Sequence, residues 1–499
     1  MNTSKTYKST RPLLFLLLLT IAVSNIKAQA VWNNTSFVHR SNQQILDGQN
    51  NAIRLDGVNL GGWLLWESWI WGGGFQSETT IRNKMASVIG VTAARAFRDS
   101  VYKSYITRED LKKISEECFN VVRVNLNHTI LEDDSIPYVY KQSGWILLDS
   151  ILQWCEDYNV YAVLDMHSAP GAQAAGFFCE DPDSICLWQS PIKKDRTVKL
   201  WKAIADRYKN RGIVAGYDLL GEPNVANGAD LLNLYTTIID SIRSVDTHHM
   251  IQLEGNDYSK DFSIFSSLPD PNVCFHFHFY TWLIPTAQLG TSLNVYTNWS
   301  NTFNVPLWCG EWGENDLATL DTTRKLLNDP AYKISGSAFW TWKKQWKLIQ
   351  YPHYMGYFGS TNWDKVTAWI DTSSNPMPTA LEMQQGITDF FTNIKSPNCW
   401  FNTTTSDLLK VCAPVSIKEE AQNNFSIYPN PFTSQTTISF NEEQKNTLIR
   451  IRDILGKEIK TIKFNGKQLI IDRGEMQAGI YFVRVISEKG EMNRKIVVE

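Results

Sequence analysis

The chain has 499 residues, 43% of them hydrophobic and 20% charged, with a formal net charge of -3. Those values permit a large core and more than one domain, and they exclude a strongly basic nucleic-acid surface or a strongly acidic face as the basis of function. The 19 Trp, 19 Tyr and 23 Phe supply flat rings that suit sugar stacking and core packing alike.

Residues 1–30 read as an export signal. Lys5 and Arg11 precede the apolar run 13–23, and Ala28-Gln29-Ala30 offers the small residues a signal peptidase needs. The alternative is a buried helix near the start. The run is too short for a stable anchor, and no later stretch reaches about 18 uninterrupted apolar residues, so no stable membrane span is expected.

All eight cysteines follow the signal, and an even count in an exported chain permits disulfides. Cys179 with Cys186 and Cys399 with Cys412 each flank a short loop and are the expected pairs. Cys118, Cys155, Cys274 and Cys309 lie in apolar stretches that suit a buried thiol as well as a bridge. No Cys-x-x-Cys pattern argues for zinc.

From about residue 50, short β-branched or aromatic runs alternate with longer helical patterns, the mark of repeated βα units. The expected strands are 53–60, 121–127, 160–166, 214–220, 250–253, 273–280, 306–310 and 336–341. Helices are expected over 108–118, 146–158, 197–208 and 229–245, where apolar residues recur every three or four positions. Eight such units predict an α/β fold, a (β/α)8 TIM barrel over 31–395. The rival, an open doubly wound sheet, lacks a Gly-rich loop after its first strand. The Ser/Thr/Asn-rich stretch 396–420 reads as a surface linker. Residues 421–499 show short alternating segments between Gly, Asn and charged turns, which predicts a small all-β sandwich.

Glu222, in Leu220-Gly221-Glu222-Pro223-Asn224, and Glu311, in Cys309-Gly310-Glu311-Trp312, each end an apolar strand-like run. Cleaving a glycosidic bond with retention needs one carboxylic acid for the leaving oxygen and one carboxylate, about 5–5.5 Å away, for the anomeric carbon. Arg123, His167, His278, Tyr280 and Trp340 also end strand-like runs and would converge on the same cleft. An arginine beside Glu311 would hold it ionised, and a tyrosine hydroxyl would fix its angle. Glu222 is expected to have a raised pKa. His276 is expected to point opposite to His278, into helix packing. Asp165 and Glu314 read as structural or rim residues, and Glu254 as a cleft residue. Of Trp66, Trp69, Trp71, Trp282, Trp342 and Trp346, more than half are expected to be packing.

Residues 50–395 resemble glycoside hydrolase family 5, and in particular its exo-β-1,3-glucanase-like members. The resemblance is carried by Gly57-Val58-Asn59-Leu60-Gly61-Gly62-Trp63-Leu64, by the helix start Ile106-Thr107-Arg108-Glu109-Asp110, and by His167-Ser168-Ala169-Pro170-Gly171-Ala172-Gln173. It implies Glu222 as acid/base and Glu311 as nucleophile. It also implies Arg123, His167, His278, Tyr280 and Trp340 as residues at the nucleophile and sugar subsite; Asn224 and Trp63 are further candidates for substrate binding. One departure is Gly221, where the family usually has an Asn that binds the sugar 2-hydroxyl; Asn224 is not assumed to replace it.

The final module resembles the C-terminal sorting domain of the type IX secretion system, through Tyr428-Pro429-Asn430-Pro431-Phe432, Asp453-Ile454-Leu455-Gly456-Lys457-Glu458 and Ala478-Gly479-Ile480-Tyr481-Phe482-Val483. That resemblance implies export through the periplasm of a Gram-negative bacterium to the surface or medium. A carbohydrate-binding sandwich is the alternative. The combined expectation is a secreted, monomeric retaining β-glycosidase for β-glucan poly- or oligosaccharides, without metal or organic cofactor. The alternatives are a non-catalytic glycan-binding barrel and a retaining glycosidase for mannan or glucosylceramide.

Overall fold

The structure, a computed structural model, describes residues 36–176, 178, 187–284, 288–346, 352–410, 425–453, 457–487 and 490–499. The export segment 1–30, Cys179, Cys186, Cys412 and positions 411–420 of the expected linker lie outside the described residues.

Eight parallel strands close into a barrel in chain order. They are β1 Gly57–Asn59, β2 Val121–Asn127, β3 Tyr161–Ser168, β4 Val214–Asp218, β5 Met250–Glu254, β6 Val273–Phe279, β7 Leu307–Trp312 and β8 Ile334–Phe339. All eight expected runs contribute a strand. The first is shorter than expected because Ala52–Ile53 pairs with the hairpin strand Gln44–Leu46 instead of the barrel.

Helices alternate with these strands. Arg108–Glu116 begins with a capping box in which Thr107 and Asp110 satisfy each other's backbone and side-chain groups. Pro191–Tyr208 starts at a Ser190 cap with proline in its first turn, and Gln142–Tyr158 ends at left-handed Asn159.

The two-residue period of the strands sorts their side chains. Val122, Val124 and Leu126 of β2, Leu164 and Met166 of β3, and Phe275, Phe277 and Phe279 of β6 join the large core between barrel and helices. The opposite faces form layers inside the barrel. Val121, Val163, Ala215, Met250, Cys274, Trp308 and Ala338 make an apolar layer closed by Val38 and Ile45. Two residues further along β2, β3, β5 and β6 stand Arg123, Asp165, Gln252 and His276, all fully buried. His276 and His278 therefore share one face, contrary to the expectation that His276 would pack against a helix. A separation of two on a strand preserves direction, and the His276 and His278 rings lie 5.1 Å apart.

Residues 396–409 correct the expected linker. Trp400–Phe401 pairs with Met355–Phe358, and the helix Thr403–Leu409 puts Leu409 into the barrel core. The polar run is its cap and first turn: Asn402 Oδ1 accepts the Thr405 N–H at 3.1 Å. The expected Cys399–Cys412 bridge is also overturned. Cys399 is a free thiol whose Sγ lies 3.5 Å from the carbonyls of Asn393 and Ile394, whereas Cys118 is disulfide-bonded. Cys155, Cys274 and Cys309 are free and buried.

Contacts divide the chain into two units, residues 1–412 and 413–499. The second is an antiparallel domain of Phe425–Tyr428, Gln435–Asp453, Glu458–Asp472, Gly479–Ser487 and Gly490–Val498. Seven short segments were expected there. Four of them merge into two long strands, because register shifts between Ser439 and Thr447 absorb the turn-like residues without ending the pairing. Ile438, Ile449, Ile451, Val483, Val485 and Ile496 are fully buried in its core. Among the described residues no helix is long and apolar enough to cross a membrane.

Candidate active site

Parallel barrel strands carry their reactive side chains at their carboxyl ends, and Glu311 lies at that end of β7. Its Oε2 accepts a hydrogen bond from Arg123 Nη1 at 2.9 Å, and its Oε1 accepts one from the Tyr280 hydroxyl at 2.5 Å. Burial first, then Glu311, raises the Tyr280 pKa well above its usual value, so the phenol stays a donor. Arg123 is itself enclosed by acids: Asp165 at 3.1 Å, Asp218 at 3.0 Å and Glu254 at 2.9 Å. Burial alone would lower its pKa, but these carboxylates raise it further, so a permanent cation faces Glu311.

Glu222 follows β4 in a left-handed conformation, φ 49°, a region costly for a residue with a side chain. Its backbone N–H donates to Glu254 Oε2 at 2.6 Å, and its Oε1 lies 2.7 Å from His278 Nδ1. The expected raised pKa is reversed here. Burial pushes the Glu222 carboxyl up, but His278, and then His167 and Arg123, outweigh burial and bring it below the usual carboxylate range. His278 moves the other way: burial opposes its charge, but Glu254, Glu311 and Glu222 raise it well above the ordinary histidine value. Both directions favour an imidazolium at His278 beside a carboxylate at Glu222.

His167 and Trp340 line the same pocket and stack at 6.2 Å and 21°. His167 Nδ1 lies 2.8 Å from Asp165 Oδ2. Burial lowers its proton affinity, but Asp165 overrides this and raises the pKa to about 9. Gly221 explains the placement: a Cβ there would fall 2.4 Å from His167 Nδ1 and 3.0 Å from Asp165 Oδ1. The histidine and its carboxylate occupy the space that a side chain at 221 would take.

Four expected substrate-binding residues do not line the pocket: Arg123 and His278 stand behind the two glutamates they contact, and Trp63 and Asn224 lie elsewhere. Trp63 is 1% exposed and donates its Nε1–H to the Tyr102 carbonyl at 2.8 Å, within an aromatic core that also holds Trp66, Trp71 and Phe97. The Gly-rich loop turns Trp63 inward. Asn224 does not line the pocket; its backbone N–H is engaged by the Gln173 carbonyl at 3.1 Å. Glu254 was expected in the cleft but is fully buried beneath it.

Sequence reasoning missed Glu67, Phe75, Phe178 and Asn315, which line the pocket of about 330 Å³ together with Trp69, Trp282 and Glu314. Glu67 Oε2 accepts the Trp69 Nε1–H at 2.7 Å. Burial, against that bond and the pull of His167, raises the Glu67 pKa to about 8. A carboxylate within the Trp-rich loop after β1 was its available signal. Glu314 accepts hydroxyl hydrogen bonds from Thr281 and Thr323 at 2.5 Å each, which places it at the rim.

Glu254, His276 and His278 offer donor atoms within 4.8 Å of one another. The Arg123 guanidinium already supplies positive charge 2.9 Å from Glu254.

A family model described as cellulase (glycosyl hydrolase family 5) matches residues 82–345, and one described as a secretion system C-terminal sorting domain matches 426–499. Among curated proteins, the chain is similar to a beta-xylosidase of Phanerodontia chrysosporium, with 29% identity over 56% of this chain and 62% of the relative. It is also similar to endoglucanase C of Acetivibrio thermocellus, with 27% identity over 46% and 59%, and to a probable glucan 1,3-beta-glucosidase A of Aspergillus clavatus, with 31% over 40% and 48%. The chain thus spans about half to three-fifths of the length of these relatives. A crystal structure of an endogalactoceramidase shares the fold, with TM-score 0.51 and 14% identity over 92% of this chain and 99% of that one. The closed barrel, the strand-end glutamates and the family match agree: the chain belongs to glycosyl hydrolase family 5 and ends in a type IX secretion system sorting domain.

Proposed function

We propose that this protein is a secreted retaining β-glycosidase that hydrolyses β-glucans by double displacement, with Glu222 as acid/base and Glu311 as nucleophile. One observation carries the reading. An oxygen of Glu222, a ring nitrogen of His278 and an oxygen of Glu311 lie within 4.8 Å of one another, which supports the close carboxyl pair of a retaining site, about 5–5.5 Å between groups.

Glu311, ionised beside Arg123 and aimed by Tyr280, attacks the anomeric carbon. Glu222 protonates the departing oxygen, using the proton held 2.7 Å away on His278. Water then hydrolyses the glycosyl-enzyme, and Glu222 takes its proton. Trp340 offers a face for the sugar ring, while Glu67, His167 and Asn315 offer polar contacts in the pocket. Two of the relatives' names, endoglucanase and glucan 1,3-beta-glucosidase, support a glucan substrate, while the third, beta-xylosidase, points to a xyloside. The sorting domain supports passage through the periplasm of a Gram-negative bacterium to the surface or medium.

The test is product release by residues 31–420 from β-1,3-, β-1,4- and β-1,6-glucans, mannan and glucosylceramide, with product anomers followed by NMR. Retained β-anomers from a glucan, lost in both Glu222→Gln and Glu311→Gln, are the expected result. Turnover of mannan or glucosylceramide instead would reassign the substrate. Glycan binding without turnover would overturn catalysis in favour of a binding barrel.

A further inference from the structure

Glu254 ends β5 without exposed surface, so it does not reach the substrate. Its side-chain contacts lead, directly or through one buried group, to the two glutamates that line the pocket. Oε2 accepts the backbone N–H of Glu222 at 2.6 Å. Oε1 accepts Arg123 Nη2 at 2.9 Å and lies 3.4 Å from His278 Nε2. Arg123 in turn holds Glu311, and His278 holds the Glu222 carboxyl, at 2.9 and 2.7 Å. Beside them His276 Nδ1 stands 3.0 Å from Asp218 Oδ2, another of the anions around Arg123, and 3.6 Å from Glu254 Oε1. His276 has room only because residue 310 is glycine: a Cβ there would fall 1.9 Å from its Nε2.

We propose that Glu254 is a positioning residue that couples the two catalytic glutamates, one carboxylate setting the Glu222 backbone, the His278 ring and the guanidinium that holds Glu311. The inference rests on the retaining-glycosidase reading above. Charge and geometry both matter to it. An amide has one acceptor oxygen, so Glu254→Gln must present N–H groups either to the Glu222 N–H or to Arg123 and His278, and one side loses its acceptor. Glu254→Asp keeps the charge but withdraws both oxygens by about one carbon–carbon bond, ~1.5 Å.

The experiment compares the full chain with Glu254→Gln and Glu254→Asp on β-glucosides of graded leaving-group acidity. It adds the rate of covalent labelling by an activated 2-deoxy-2-fluoro-glucoside, thermal melting, and NMR titration of the His278 ring. In both variants kcat should fall about 10- to 100-fold, the loss expected for a displacement near 1 Å, with KM nearly unchanged. The decline should be steepest for poor leaving groups, which depend on Glu222, and labelling of Glu311 should slow as well.

His278 faces Glu222 after β4, Glu254 of β5, His276 of β6 and Glu311 of β7. In Glu254→Gln it loses one neighbouring anion and should release its proton at lower pH, moving the alkaline limb of the rate profile down. A purely structural role would lower the melting temperature and reduce all substrates in proportion. Wild-type kcat, leaving-group dependence and His278 titration in the variants would overturn the proposal. An inactive wild type would instead count against the glycosidase reading, and the His278 titration would still decide the coupling. If Glu254→Gln does not fold, Glu254→Asp carries the same measurements and the same two outcomes.

Discussion

Two layers inside one barrel differ in nearly everything except their strands. The lower layer, with Val121, Val163, Met250, Cys274 and Trp308, is apolar and closed by Val38 and Ile45. The layer two residues higher holds Arg123, Asp165, Gln252 and His276, with no exposed surface. Burial is equal, so solvent access does not separate them; charge does, carried by the Arg123–Asp165 pair at 3.1 Å. The lower layer gains from transfer out of water, whereas buried ions repay their desolvation only through close partners and are weak evidence of stability. The upper layer fits a role in holding Glu222 and Glu311, and the lower layer a role in holding the barrel.

Substitutions in the two layers should therefore separate stability from activity. The largest effect is expected for Arg123→Leu. It leaves Asp165, Asp218, Glu254 and Glu311 without their shared cation. Breaking a buried pair costs about 3–5 kcal/mol, so denaturant unfolding should show at least that loss together with abolished activity. A loss under about 1 kcal/mol would contradict this account of the layer.

Next in size is Met250→Ala in the apolar layer, expected to cost about 2–5 kcal/mol through lost transfer energy and a cavity. Its kcat and pH profile at low temperature should match the wild type. A shifted profile would mean that the layers are not separable.

A smaller effect on stability, but a definite one on catalysis, is expected for Gly221→Ala. The new Cβ, 2.4 Å from His167 Nδ1, must displace that ring from Asp165. We expect about a tenfold loss in kcat/KM, equivalent to ~1.4 kcal/mol. Unchanged kinetics would show that the His167–Asp165 pair does not serve the reaction.

The last effect concerns Glu67 and pH. Its folded-state pKa of about 8 stands above the usual 4.5, so between those values the folded chain holds a proton that the unfolded chain has released. Stability from this group is thus lost as pH rises from 4.5 towards 8. Glu67→Gln removes the dependence, and its melting temperature relative to wild type should climb across that interval. A pH-independent difference would contradict the buried, protonated state.

Much of this was legible in the sequence. Strand periodicity marks eight barrel runs, and Glu222 and Glu311 stand out because each ends one of them. Arg123, Tyr280 and His278 follow from the same rule. The two-residue period also contained the placement of His276, although the initial expectation for that residue departed from it. Trp63 was not separable in the same way: a tryptophan in a Gly-rich loop reads alike whether it faces sugar or, as here, the Tyr102 carbonyl.

The sequence by itself determined the barrel, its strand-end glutamates and the motifs of a C-terminal sorting domain, because periodicity and short motifs are local. Only the tertiary structure decided that Glu222 sits below its usual pKa while Glu67 rises to about 8, that Glu254 contacts both the Glu222 backbone and the arginine that holds Glu311, and that Cys399 is free. Proton affinity and reach are sums over groups brought together from separate strands, and those sums exist only once the barrel has closed.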